Sequence, residues 1–134
     1  MHSLKKITPN KERSKSLYEM ALQTENMLSE TRSKYAAIIL KEYYNLIREL
    51  ITAVMYYDGF KVVGVGNHKK TILYLEKLNF HKNEIIFVDQ LRDIRNKIYY
   101  EGYNIDQEVL KRKKPQIKNI IEKLKEILEQ KIKC

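Results

Sequence analysis

Ser33-Lys34-Tyr35-Ala36-Ala37-Ile38-Ile39-Leu40-Lys41-Glu42-Tyr43-Tyr44-Asn45-Leu46-Ile47-Arg48-Glu49-Leu50-Ile51-Thr52-Ala53-Val54-Met55-Tyr56-Tyr57-Asp58, closed by Gly59, is the stretch that decides the fold. Apolar or aromatic side chains recur in it at Ala36, Leu40, Tyr43, Ile47, Leu50, Val54 and Tyr57. Steps of three and four residues track the 3.6-residue turn, so these positions form one seam of a long core helix. Gly59 enters left-handed backbone at low cost and stops it.

The same spacing extends to both sides. Upstream, Thr8 as N-cap and Pro9 as first helical residue predict a helix to about Arg32, with Leu17, Ala21, Thr24 and Leu28 on one stripe and residues 1–15 frayed. Downstream, Phe60-Lys61-Val62-Val63-Gly64-Val65-Gly66 has strand-like composition but no evident partner strand. A lone strand leaves its backbone unsatisfied, so this stretch reads as a loop. A short helix is expected over 67–78, with Ile72, Leu75 and Leu78 inward and Asn79 ending it. Another is expected over 83–99, burying Phe87, Leu91, Ile94 and Ile98, with a break at Glu101-Gly102. The last, over 106–131, turns Val109, Ile117, Ile120, Ile121, Leu124, Ile127 and Leu128 inward. Pro115 cannot donate a hydrogen bond to Lys111, which predicts a kink or restart. The expected architecture is all-α: a single domain over 1–134, built as an up-and-down antiparallel bundle of four to five helices.

Composition narrows the alternatives. With 134 residues there is room for one core, and with only 4 Gly and 2 Pro a turn-rich β-sandwich is disfavoured. No apolar run approaches a membrane span, no export signal is visible, and Cys134 is the single cysteine, so a reducing, cytoplasmic setting is expected. His2, His68 and His81 lie far apart and show no metal-ligand spacing; no metal or cofactor is expected. The net charge of +9 is uneven. Residues 1–16 carry +4 and residues 111–134 carry +6, around a nearly neutral body. Basic ends attract polyanions such as RNA, or an acidic partner. They equally describe a solvated lysine-rich surface, since Lys outnumbers Arg by 20 to 6.

The segment Leu91-Arg92-Asp93-Ile94-Arg95-Asn96-Lys97-Ile98-Tyr99-Tyr100-Glu101-Gly102-Tyr103 carries the chemistry. Arg92, Arg95, Asn96 and Tyr99 are three and four positions apart on one helix, opposite Leu91, Ile94 and Ile98. Two guanidinium groups, an amide and a phenol can hold phosphate oxygens and stack a base. The same residues can also hold a helix end or a dimer interface by hydrogen bonds.

This segment resembles the signature of the HEPN superfamily, an Arg, usually followed by Asn, four to six residues ahead of a His near a helix end. Tyr35-Ala36-Ala37, Tyr43-Tyr44-Asn45-Leu46-Ile47-Arg48, Asp58-Gly59-Phe60 and His68-Lys69-Lys70 are similar in order and spacing to the small prokaryotic members. The likeness covers about residues 15–130. It implies a dimeric helical bundle in which the Arg and His of two protomers face a shared cleft, cleaving RNA without metal in active members. Arg95 matches the family Arg and Asn96 the residue after it, while the His position falls on Tyr100. A phenol titrating near pH 10 is a poor base at neutral pH, so cleavage is expected to be weak or lost. His68 falls outside the catalytic motif and is expected to cap or pack. Some members pair with a minimal nucleotidyltransferase, as toxin and antitoxin or as a nucleotide-binding companion, and the transferase can modify a Tyr just after the motif. Tyr103 is the candidate here, with Tyr100 second. Three functions follow from the resemblance: a homodimer binding RNA or nucleotide at Arg92, Arg95, Asn96 and Tyr99; a non-catalytic adaptor for a nucleotidyltransferase; and a metal-independent RNA endonuclease using Arg95, Asn96 and Tyr100.

Overall fold

A computed structural model describes residues 4–32, 34–64 and 66–133 of the chain. His2 and Cys134, considered above, lie outside them. Among the described residues the fold is an all-α bundle of five α-helices with one small two-stranded sheet: β1 (Leu4–Lys6), α1 (Lys11–Glu30), α2 (Ala36–Asp58), β2 (Phe60–Val62), α3 (Asn67–Leu73, continued by a 3-10 turn over Tyr74–Glu76), α4 (Lys82–Glu101) and α5 (Gln107–Lys133).

The seam read from the sequence is the middle of the core. α2 packs against α1, α4 and α5, and Leu40, Ile47, Ile51 and Val54 are fully enclosed along it. Burying each such side chain contributes about 1.5–3 kcal/mol. Gly59 stops the helix at φ +87°, its N–H capping the carbonyls of Met55 and Tyr56. Short connections and cross-helix contacts set the directions. The start of α1 meets the end of α2 where the Ser14 hydroxyl donates to the Ala53 carbonyl at 2.6 Å. Tyr18 reaches Glu129 and Glu25 pairs with Lys125, so α1 runs antiparallel to α5. Glu84 pairs with Lys123 while Phe87 lies under Lys113, which makes α4 antiparallel to α5 as well.

Three sequence expectations are corrected. The segment over 60–66 is not all loop: Phe60–Val62 pairs antiparallel with Leu4–Lys6, in the register Leu4 with Val62, Lys5 with Lys61 and Lys6 with Phe60. The partner strand lay in the stretch expected to fray. Beyond β1 the chain stays tied, with Ile7 N–H donating to the Gly59 carbonyl at 2.8 Å and Asn10 N–H to the Tyr56 carbonyl at 2.9 Å. Thr8 and Pro9 therefore belong to an extended connection, and Asn10 caps α1 by accepting from the Arg13 N–H. Finally, of the kink or restart expected at Pro115, the restart is absent, since α5 runs from Gln107 to Lys133 through it. Pro115 lies in the third turn of a 27-residue helix whose inner face is fully buried from Ile117 to Leu128, so packing outweighs one missing hydrogen bond. Asn79 ends the 67–78 segment in left-handed backbone at φ +64°, and Ile94 and Ile98 are only partly buried against the core.

Candidate functional site

Polar chemistry gathers where α2, α3 and α4 meet. Tyr44 and Arg48 are one turn apart on α2, His68 opens α3, and Arg92 and Arg95 lie on α4. Tyr44 is fully buried. Its ring stacks on His68 with centroids 6.1 Å apart, and its hydroxyl is 3.3 Å from His68 Nδ1 in a hydrogen bond. Burial pushes the Tyr44 phenol up to about 12, against the opposing pull of Arg48, Arg92 and Arg95. Burial also lowers the His68 imidazole below its ordinary range, reinforced by the positive charges of Arg48, Arg95 and Arg92. A neutral phenol and a neutral imidazole thus stand among three cations at pH 7.

Those cations are incompletely satisfied. Arg92 Nε donates to Asp89 at 2.9 Å, an ion pair within α4. Arg95 Nη1 donates to the Asn96 side-chain oxygen at 3.2 Å, and its guanidinium lies 4.7 Å from the Tyr99 ring centroid. The Nε atoms of Arg48 and Arg95, with Asn45 Oδ1, are enclosed and have no hydrogen-bond partner. Among the described residues no carboxylate is within ion-pair distance of Arg48 or Arg95. An enclosed donor without a partner costs about 1–3 kcal/mol. A group of like charges without carboxylate partners is matched by an anion at its accessible guanidinium nitrogens, which supplies the counter-charge.

The sequence-derived residues separate accordingly. Arg92, Arg95 and Asn96 are partly buried on α4, and Arg92 also lines a groove with Asp89, Asp93 and Lys113 of α5. Tyr99 joins through Arg95 but is 58% exposed. Tyr100 is 73% exposed and meets the Tyr99 ring edge-on at 4.8 Å. Tyr103 follows Gly102 and is exposed. Part of the C-terminal charge is structural, since Lys123, Lys125 and Lys131 pair with Glu84, Glu25 and Asp58 across the bundle.

Protein-family models, curated proteins and solved structures were compared with the chain, and none matches.

Three members of the cluster escaped the reading of residues alone. Tyr44 and Arg48 look like interruptions of an apolar helix, and His68 was expected only to cap or pack. The available signal was the i, i+4 spacing of Tyr44 and Arg48 on a core helix, where a guanidinium is out of place unless it has a task. No sequence spacing links either residue to α4; only the packing of α2 on α4 does.

Proposed function

We propose that this chain binds RNA or a nucleotide through phosphate oxygens held by Arg48, Arg92 and Arg95. What carries this reading is the stacked and hydrogen-bonded Tyr44–His68 pair within the field of Arg48, Arg95 and Arg92, of which Arg48 and Arg95 have no carboxylate partner among the described residues. Arg is suited to the task because its planar fork meets phosphate with two parallel hydrogen bonds. Tyr99, held beside Arg95, offers a face on which a base can stack. In line with the HEPN resemblance, the working unit is a homodimer, one half of a toxin–antitoxin or nucleotidyltransferase pair, and cleavage is weak or absent because Tyr100 stands where the family has His.

Fluorescence anisotropy with a labelled single-stranded RNA tests the reading. Arg48→Ala and Arg95→Ala should each weaken binding by about tenfold or more, as expected for loss of a charged hydrogen bond. Lys118→Ala, on an exposed face of α5, should change it little, and raised salt should weaken all of them. Wild-type affinity in both arginine variants would refute the site.

One observation favours a second reading, a metal-independent endonuclease. His68 is an imidazole held neutral beside the cations and so is in the protonation state of a general base. If it serves as one, RNA cleavage in the presence of a chelator should be lost in His68→Gln and retained in Tyr100→Phe. Intact RNA after prolonged incubation with the wild-type chain would reject this reading and leave binding alone.

A further inference from the structure

Arg48 also lines a cavity of about 150 Å³ between α2, α3 and the strand β2. Thr52 and Tyr56 continue the Arg48 face of α2 into it, Asn67 and Thr71 enter from α3, and Phe60 of β2 forms an apolar wall. The Thr52 hydroxyl donates to the Arg48 carbonyl at 2.8 Å and the Thr71 hydroxyl to the Asn67 carbonyl at 2.7 Å. Each hydroxyl has therefore committed its only proton to its own helix and keeps lone pairs free to accept. The Arg48 guanidinium on the cavity wall is the complementary donor group. A lining that offers both acceptors and donors around an apolar wall suits a hydroxyl-bearing ring better than an apolar one. The volume matches a single ring, since a cavity of this size holds one benzene, and it is too small for a sugar together with a base.

Arg48 belongs both to the cavity wall and to the group of arginines around Tyr44 and His68. Tyr44, Arg48 and Thr52 follow one another at one-turn intervals of about 6 Å, with Arg48 shared between the two. Resting on the phosphate reading above, we propose that the ligand is a pentose phosphate monoester. Its phosphate sits on Arg48, Arg92 and Arg95, and its sugar ring enters the cavity with hydroxyls donating to Thr52 and Thr71. A free sugar phosphate and a mononucleotide share this chemistry; in a nucleotide the base stays outside.

Isothermal titration of the full chain with inorganic phosphate, ribose 5-phosphate and adenosine 5′-monophosphate tests the proposal. Both esters should bind about tenfold tighter than inorganic phosphate, the effect of one or two added hydrogen bonds. Thr71→Val should bring them down to the phosphate level while leaving phosphate binding unchanged, and Thr52→Val provides the same test should Thr71→Val melt early. Tighter binding of the nucleotide would identify that source, and tighter binding of ribose 5-phosphate the other. If phosphate binds and is lost in Arg48→Met, but the esters bind no tighter or ignore both threonine variants, the sugar subsite is wrong and the phosphate site stands. If none of the three compounds binds, or phosphate binding ignores Arg48→Met, both fall.

Discussion

Replacing Gly59 by Ala should destabilise this protein more than any other glycine-to-alanine change on which the structure bears. Gly59 sits at φ +87°, and a Cβ there would stand 2.8 Å from the Ile7 carbonyl oxygen and 3.0 Å from Pro9 Cγ. Left-handed backbone costs a non-glycine residue about 1–2 kcal/mol. The Ile7 oxygen cannot withdraw freely, because Ile7 N–H is bonded to the Gly59 carbonyl and Asn10 N–H to the Tyr56 carbonyl. Retreat breaks at least one of these bonds, adding about 1 kcal/mol. The sum, about 2–3 kcal/mol, lowers the melting temperature of a chain this size by roughly 6–15 °C. Gly102→Ala is the internal control, since its φ of +64° is similar and nothing lies within 4 Å of the added Cβ. It should show the conformational cost alone. Thermal melts followed by circular dichroism give both values, and the Gly59 drop should exceed the Gly102 drop by about 3–5 °C. Equal drops would refute the close approach of the N-terminal strap to the end of α2.

Three further outcomes are expected. Arg95→Met, which removes an enclosed unmatched donor and one of three like charges, should leave the melting temperature unchanged or higher while phosphate affinity falls; a clear loss of stability would mean Arg95 is a structural member of the bundle. Glu84 is buried at the start of α4, where burial works against its charge but bonds from Lys123 and the His81 N–H carry its carboxyl below the ordinary 4.5. Glu84→Gln should cost about 1 kcal/mol at neutral pH, allowing for the half-exposed Lys123, with denaturant melts closing the gap to wild type as pH falls below that value. The His68 ring should titrate below its ordinary 6.5 by NMR, because burial first and then the three arginines oppose its charge. The unfolded chain takes up that proton first on acidification, so His68 contributes stability that declines as pH drops under 6.5; bound phosphate should move the midpoint upward, and a midpoint at or above 6.5 in the free protein would contradict its enclosure.

Gly59 as the stop of α2, the inward faces of α2 and α5, and the gathering of Arg92, Arg95 and Asn96 on one side of α4 were legible from the residues, since each depends on neighbours within a turn or two. Thr8 and Asn10 are both residue types that cap helices, and only the bonds from Ile7 to Gly59 and from Asn10 to Tyr56, which tie the chain to the end of α2, decide that α1 starts after Asn10. Glu84 reads as an ordinary first-turn acid, yet it ties α4 to α5 through Lys123. His68, set aside as a packing residue, stands with the arginines because α3 folds back over α2.

Helical periodicity, the stops and the uneven charge belong to the linear chain, because side chains three and four apart meet on any helix whatever it packs against. The pairing of residues 4–6 with 60–62, the cavity behind Phe60 and the meeting of Arg48 with Arg92 and Arg95 belong to the tertiary structure. The strand pairing and the arginine cluster join segments more than forty residues apart, and the cavity joins three elements within residues 48–71; only burial of the shared apolar seam brings such segments close enough for their backbone bonds and charges to act on one another.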